Sequence, residues 1–201
     1  MLFAIGDARP SVHPTAVIAP TAVVSGDVTL GTDVVVSFGA VILGDDGPVM
    51  IGAGTVVREN VVLRAGNRHP LRIGANVLIG AQSALYGCIV GDEVFLATGV
   101  KLFHGARVGA RGEVRIGGVV HVNTVLPAGA VVPIGWVAVG DPAVILPPSA
   151  HDEIWAVQRT LDFPGTVYGV ERLPDGRIDM RLVTERAVAA ARRDRWTRLD
   201  E

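Results

Sequence analysis

An aliphatic residue recurs at every sixth position over most of the chain. Val12, Ile18, Val24, Leu30, Val36 and Ile42 form one unbroken series, and Ile51, Val57 and Leu63 resume it after an insertion. A second insertion precedes Ile73, Ile79 and Leu85, and one five-residue step then leads to Val90, Leu96, Leu102 and Val108. All sixteen positions hold Val, Ile or Leu. Four residues after the anchors stand small or β-branched residues, among them Ala22, Val34, Ala40, Thr55, Ser83 and Ala106. Glycine often follows the anchor directly, as at Gly31, Gly52, Gly74, Gly80, Gly91 and Gly109.

A period of six matches neither the 3.6 of a helix nor the 2 of a strand. It suits short strands joined by tight corners, with the anchor pointing inward and small residues or glycine permitting the bend. Three such sides close a triangular coil of about 18 residues, and stacked coils build a parallel β-solenoid. The rise from coil to coil is then the inter-strand spacing, roughly 4.8 Å.

Past Val108 the repeat loosens, and Leu126-Pro-Ala-Gly-Ala and Val139-Gly-Asp-Pro-Ala read as the closing coil. Pro147 and Pro148 break the chain there. The predicted organisation is therefore a mainly β solenoid over residues 1–146, with a helical extension over 147–201 packed on it. Ser149 and Asp152 read as a capping box that opens a short helix through Ile154, Trp155 and Val157. Residues 163–177 read as a connector with Pro-Gly and Pro-Asp-Gly turns. Asp179 then caps a longer helix with one small-residue face and one arginine-rich face.

Composition narrows the picture. Hydrophobic residues make up 49% of the 201 and aromatics only 5%, so the core is aliphatic and layered, and general disorder is excluded. A net charge of −2 argues against nucleic acid as a partner, which needs a basic surface. The uncharged stretch 116–140 is interrupted by glycine and proline, which makes a poor membrane span, and the first ten residues lack the apolar run of a signal peptide. The single cysteine, Cys88, rules out an intrachain disulfide and suits a reducing cytoplasm. A soluble cytoplasmic protein is expected, with Cys88 as a small core residue.

From Val12 to Ala143 the repeat resembles the hexapeptide-repeat superfamily, and that resemblance implies a left-handed parallel β-helix. Four stretches are similar to the gamma-class carbonic anhydrases: Gly44-Asp45, the run from Ile51 to Arg64, the run from Val77 to Cys88, and Val139-Gly-Asp-Pro-Ala. The resemblance implies a homotrimer, and in the active family zinc is held between subunits by three histidines. In this chain Arg64, Ala81 and Tyr86 stand at those three positions. Leu43 replaces the family's Arg before Gly-Asp, and Arg58-Glu59 replaces its Gln-Asp. Arginine offers no lone pair and alanine no donor atom, while tyrosine is a weak substitute. A catalytic zinc needs three protein ligands and a water, so no cofactor is expected at the usual site, and zinc-dependent hydration of carbon dioxide is not expected.

Arg64 and Arg58, six residues apart, are candidates to clamp a carboxylate or phosphate near a subunit boundary. Asp45 and Glu59 become their charge partners or a general base, Tyr86 a hydroxyl donor, and Gln82 a further substrate contact. The same charged residues could equally form a salt-bridge network that holds the trimer. Tyr86, His104 and His121 are spaced by 18 and 17 residues, close to one coil each. Stacked, they would form a ladder in which His104 and His121 share a metal or relay a proton; otherwise they are solvent-facing corner residues. The scaffold also resembles hexapeptide-repeat acyltransferases, which implies an acyl-CoA-type donor between subunits and a histidine base. His69, in the Asn67-Arg-His-Pro loop, leads that reading, with His104 and His121 behind it. The expected function is binding, with or without transforming, a small anionic or acyl molecule, with no nucleic-acid or membrane partner. A non-catalytic structural trimer is the third reading.

Overall fold

A computed structural model of the chain describes residues 1–66, 68–193 and 196–199. The hexad anchors turn inward as the repeat requires. The fourteen from Val24 to Val108 are buried, while Val12 and Ile18 pack half-buried against the core at the first coil. The series does not loosen after Val108: Val114, Val120, Leu126, Val132 and Ala138 continue it at unbroken six-residue steps, all of them buried. Glycine and proline at the corners, such as Gly117-Gly118, Pro127 and Pro133, disguise this part of the repeat.

Equivalent anchors stack rung on rung. Val24, Ile42, Leu63, Leu85, Leu102, Val120 and Ala138 are successive register partners in parallel strands. Parallel ladders of this kind build three faces. The first runs from Ser11–Val12 to Val125–Leu126, the second from Val17–Ile18 to Val131–Val132, and the third from Leu2–Ile5 to Val137–Val139. The glycine after an anchor is explained by close approach of coils. A Cβ on Gly52 would lie 2.6 Å from the backbone of Gly74, and one on Gly74 would lie 2.7 Å from that of Gly91.

The coils are not equal. From anchor to anchor they measure 18 residues between Val24 and Ile42, 21 between Ile42 and Leu63, 22 between Leu63 and Leu85, and 17 between Leu85 and Leu102. Every departure falls at the same corner, between the third face and the first. Residues are inserted there after Gly44 and after Ala65, and one is missing around Gly87-Cys88. The other two corners keep the six-residue step throughout.

After the last coil Val144–Leu146 folds back antiparallel on Val137–Val139. Helices α1 (His151–Gln158), α2 (Phe163–Tyr168) and α3 (Met180–Arg193) follow. The expected capping box is absent: Ala150 is the N-cap of α1 and no side chain caps it. Part of the expected connector is helical, because Asp162 caps α2 by accepting the Gly165 N–H and Pro164 fits its first turn. Asp179 caps α3 as expected, its Oδ1 accepting the Leu182 N–H at 3.0 Å. A strand over Trp196–Arg198, which the sequence did not suggest, pairs antiparallel with Leu2–Ile5 at the opposite end of the solenoid. The extension therefore touches both the last coil and the first. Among the described residues, no helix is long and apolar enough to cross a membrane.

Candidate functional site

The irregular corner gathers most of the chemistry-bearing side chains. Leu43, Arg64 and Tyr86 are register partners on successive strands at the end of the third face. The next rungs of that column are Phe103 and His121: the Tyr86 and Phe103 rings lie 6.3 Å apart, and those of Phe103 and His121 6.2 Å. The expected ladder of Tyr86, His104 and His121 is therefore displaced by one residue. The short 17-residue coil runs from Tyr86 to Phe103, because the missing residue lies just after Tyr86, and His104 falls one position past the column.

His104 nevertheless reaches the site. Its ring stacks beside Tyr86 at 5.9 Å with 13° between planes, and it meets His69 edge-on at 6.0 Å. Two glycines make room for this cluster. A Cβ on Gly66 would meet the His104 ring at 2.7 Å, and one on Gly87 would meet the His69 Cβ at 2.6 Å. Gly66 and Gly87, both outside the hexad pattern, were the sequence signal for this crowding. His121 points elsewhere: only 7% exposed, it lies between Phe103 and Phe163 of α2. Its Nε2 is hydrogen-bonded to the amide nitrogen of Gln158 on α1 at 3.0 Å. A solvent-facing His121 does not fit that arrangement. Asn67, part of the loop that carries His69, lies outside the described residues. Cys88 is wholly buried in the core, where burial pushes its thiol pKa up.

Arg64 is braced by Asp45. Its Nη2 donates to Oδ2 at 2.6 Å and its Nε to Oδ1 at 3.1 Å. The Asp45 side chain is 7% exposed and that of Arg64 47%. This side-on pairing uses the Nε–Nη2 edge of a half-exposed guanidinium and does not engage its Nη1 donors. Arg58 and Glu59 pair at 3.1 Å, both half-exposed, and exposed pairs of that kind contribute little to stability. The Glu59 carboxyl is held below its ordinary pKa by its own backbone N–H and then by Arg58.

Arg58 and Glu59 sit at the corner between the second and third faces, where Gln82 joins them through its N–H to the Glu59 carbonyl at 2.9 Å. The chain thus places Arg58 and Arg64 at opposite ends of one face. The two-arginine clamp is not formed within a single copy.

Both histidines of the corner are biased toward the neutral form. Burial first, then the charges of His69 and Arg64, push the His104 pKa down to about 4, and burial followed by Arg68 lowers that of His69. The His104 Nδ1 is buried with no hydrogen-bond partner among the described residues.

No family model matches the chain. Gamma carbonic anhydrase 1, mitochondrial, from Arabidopsis thaliana is 36% identical over 159 residues, covering 76% of this chain and 56% of the relative. The chain is a homologue of the gamma carbonic anhydrases, and their hexapeptide-repeat family fits it. A second member of that family, gamma carbonic anhydrase 2, mitochondrial, from the same plant, aligns with 100% of this chain at 28% identity and is 70% covered. The chain thus spans little more than half of the first relative's length and over two thirds of the second's. Among solved structures, a proposed acetyltransferase from Bacillus cereus superposes with a TM-score of 0.54 at 20% identity, covering 94% of this chain and 97% of that one. That likeness concerns the fold alone.

Proposed function

We propose that the protein is a homotrimer that binds a small carboxylate-like or acyl anion at the irregular corner, with the neighbouring copy completing the site. The observation that carries this reading is the half-exposed, Asp45-braced Arg64, which leaves its Nη1 donors outside that pair and is the register partner of Tyr86, itself stacked on His104. An arginine held on one edge by its own carboxylate is pre-oriented for a second, end-on anion at little entropic cost.

The residues at the family's zinc positions do not fit that metal. Arg64, Ala81 and Tyr86 offer one phenol oxygen and no imidazole, and the guanidinium places a fixed positive charge at the same spot. Association is supported by exposed apolar side chains. Phe38, Ile116 and Ile134 are 54–64% exposed along the corner that carries Arg58, Glu59 and Gln82. The third face, between the two corners, directs Val23, Val41, Val62, Ala84, Val119 and Val137 outward. Packing that corner of one copy against the irregular corner of the next brings Arg58 and Gln82 opposite Arg64. The acyl-transfer reading has less support, because burial lowers the pKa of His69, its leading base, and pushes that of His104 down to about 4, away from the neutral range that suits a general base.

Thermal unfolding with acetate or bicarbonate, against chloride at equal ionic strength, tests the proposal. Ligand at a hundred times its Kd stabilises by about 2.7 kcal/mol, a rise in Tm of roughly 5–10 °C for a chain of this size. Arg64→Ala lowers the unliganded Tm by itself, since Asp45 loses its partner, so the readout is the increment that ligand adds to each variant. That increment is expected to vanish in Arg64→Ala and to fall sharply in Arg64→Lys, which lacks the planar fork. An equal increment in parent and Arg64→Ala ends the proposal.

A further inference from the structure

His121 is the most deeply buried histidine; it lies two rungs beyond Tyr86 at the irregular corner, among the helices rather than beside Arg64. Four features define its surroundings. It is 7% exposed. Its ring is covered by Phe103 from the solenoid and Phe163 from α2, with centroids at 6.2 and 5.9 Å. Its Nε2 lies 3.0 Å from the Gln158 amide on α1, and its Nδ1 is buried with no hydrogen-bond partner among the described residues. Beside it, the Asn123 amide donates to the Thr166 hydroxyl at 3.1 Å, tying α2 to the same corner. One imidazole thus joins the last coils to both of the first two helices.

The chemistry of that box admits only the neutral ring. Gln158 can satisfy Nε2 in either tautomer, since its amide donates from nitrogen or, turned over, accepts at oxygen. An imidazolium has two N–H donors, and the second would point from Nδ1 into an apolar aromatic wall with no acceptor. A buried, unsatisfied and charged donor is among the costliest groups a protein can hold. We propose that His121 is an acid-released latch: its neutral ring docks α1 and α2 on the solenoid, and its protonation frees them.

The groups facing the ring are neutral on every element that packs against it: Phe103 on the solenoid, Gln158 on α1 and Phe163 on α2. His151, Asp152 and Glu153 on α1, Arg159 at its end and Asp162 before α2 are exposed. His104, one residue beyond Phe103, turns to Tyr86 and His69 instead. Burial alone lowers the His121 pKa, in keeping with the absence of a charged neighbour. The sign follows from linkage. The undocked ring, near pH 6.5, binds more protons than the docked one, so docking is fully stable above about pH 6.5 and weakens as pH falls below it. Until the docked pKa is reached, each pH unit raises the undocking equilibrium by up to about tenfold.

Hydrogen–deuterium exchange of the full chain, corrected for the intrinsic rate at each pH, reads this directly. At pH 5, relative to pH 7.5, peptides covering 151–168 are expected to lose several-fold protection while peptides covering 94–114 keep theirs. His121→Phe fills the box without a titrating group and is expected to hold 151–168 equally at both pH values. His121→Gln is the second non-titrating variant, used if the first fails to fold. Unchanged protection of 151–168 in the parent overturns the latch, as does an acid loss of the same size in the non-titrating variant. An acid loss carried by His104 or His69 falls under the second outcome, because both remain in the variants. The result does not depend on what the neighbouring corner binds.

Discussion

Leu85→Ala is expected to cost about 3–5 kcal/mol of folding stability, whereas Leu78→Ala, seven residues earlier, costs about 1 kcal/mol or less. Leu85 is fully buried, and its register partners are Leu63 below and Leu102 above. Removing three carbons there opens a void in a narrow prism. Its walls cannot collapse inward, because ladder hydrogen bonds to the coils above and below fix the backbone, so the cavity term adds to the lost transfer energy. Leu78 points outward from the second face and is 38% exposed, so it loses part of a surface contact and leaves no void. Urea unfolding of the two variants, compared at equal m-value, separates these outcomes. Equal costs would mean that the six-residue period does not decide which side chains face the core.

The second large effect concerns assembly. Phe38→Asp combined with Ile134→Asp is expected to convert a particle of three chains into a single chain of 21.0 kDa. Phe38 and Ile134 are 60% and 64% exposed within one copy, so the substitutions cost the isolated fold little. In a subunit contact the same carboxylates would be desolvated without partners on two sides of each boundary, several kcal/mol per ion. Met50→Asp, on the first face and 44% exposed, serves as the control and should leave the mass unchanged. Light scattering on eluting peaks provides the measurement. A parent that elutes as a single chain, or a double variant that keeps the parent's mass, removes the neighbouring copy from the site.

The fold was legible because one physical rule repeats: a side chain every six residues must be aliphatic to fill a triangular interior. Where corners are plain the rule shows clearly, as from Val12 to Ile42. Glycine and proline at the corners hid it from Val114 to Ala138, although the anchors there are just as regular. The site was legible in its parts and less so in its arrangement. Arg64 and Tyr86 follow from strand register, but a single missing residue near Gly87 moved Phe103 into the column in place of His104.

Other features rested on tertiary contacts that no local pattern encodes. Arg58 and Arg64 are close in sequence yet stand at opposite ends of a face, because six residues span one whole side of the coil. The burial of His121 depends on Gln158 and Phe163, which return from the helical extension. The strand Trp196–Arg198 gains its partner only at the far end of the solenoid, and three residues carry too little pattern to announce that.

A crystal structure of the protein grown in bicarbonate or acetate tests most directly whether Arg64 holds an anion between copies. The expected result is a threefold particle with the anion in hydrogen-bond contact with Arg64 and with Gln82 or Arg58 of an adjoining copy. A transition metal bound at Tyr86, or an anion seated away from Arg64, would contradict it.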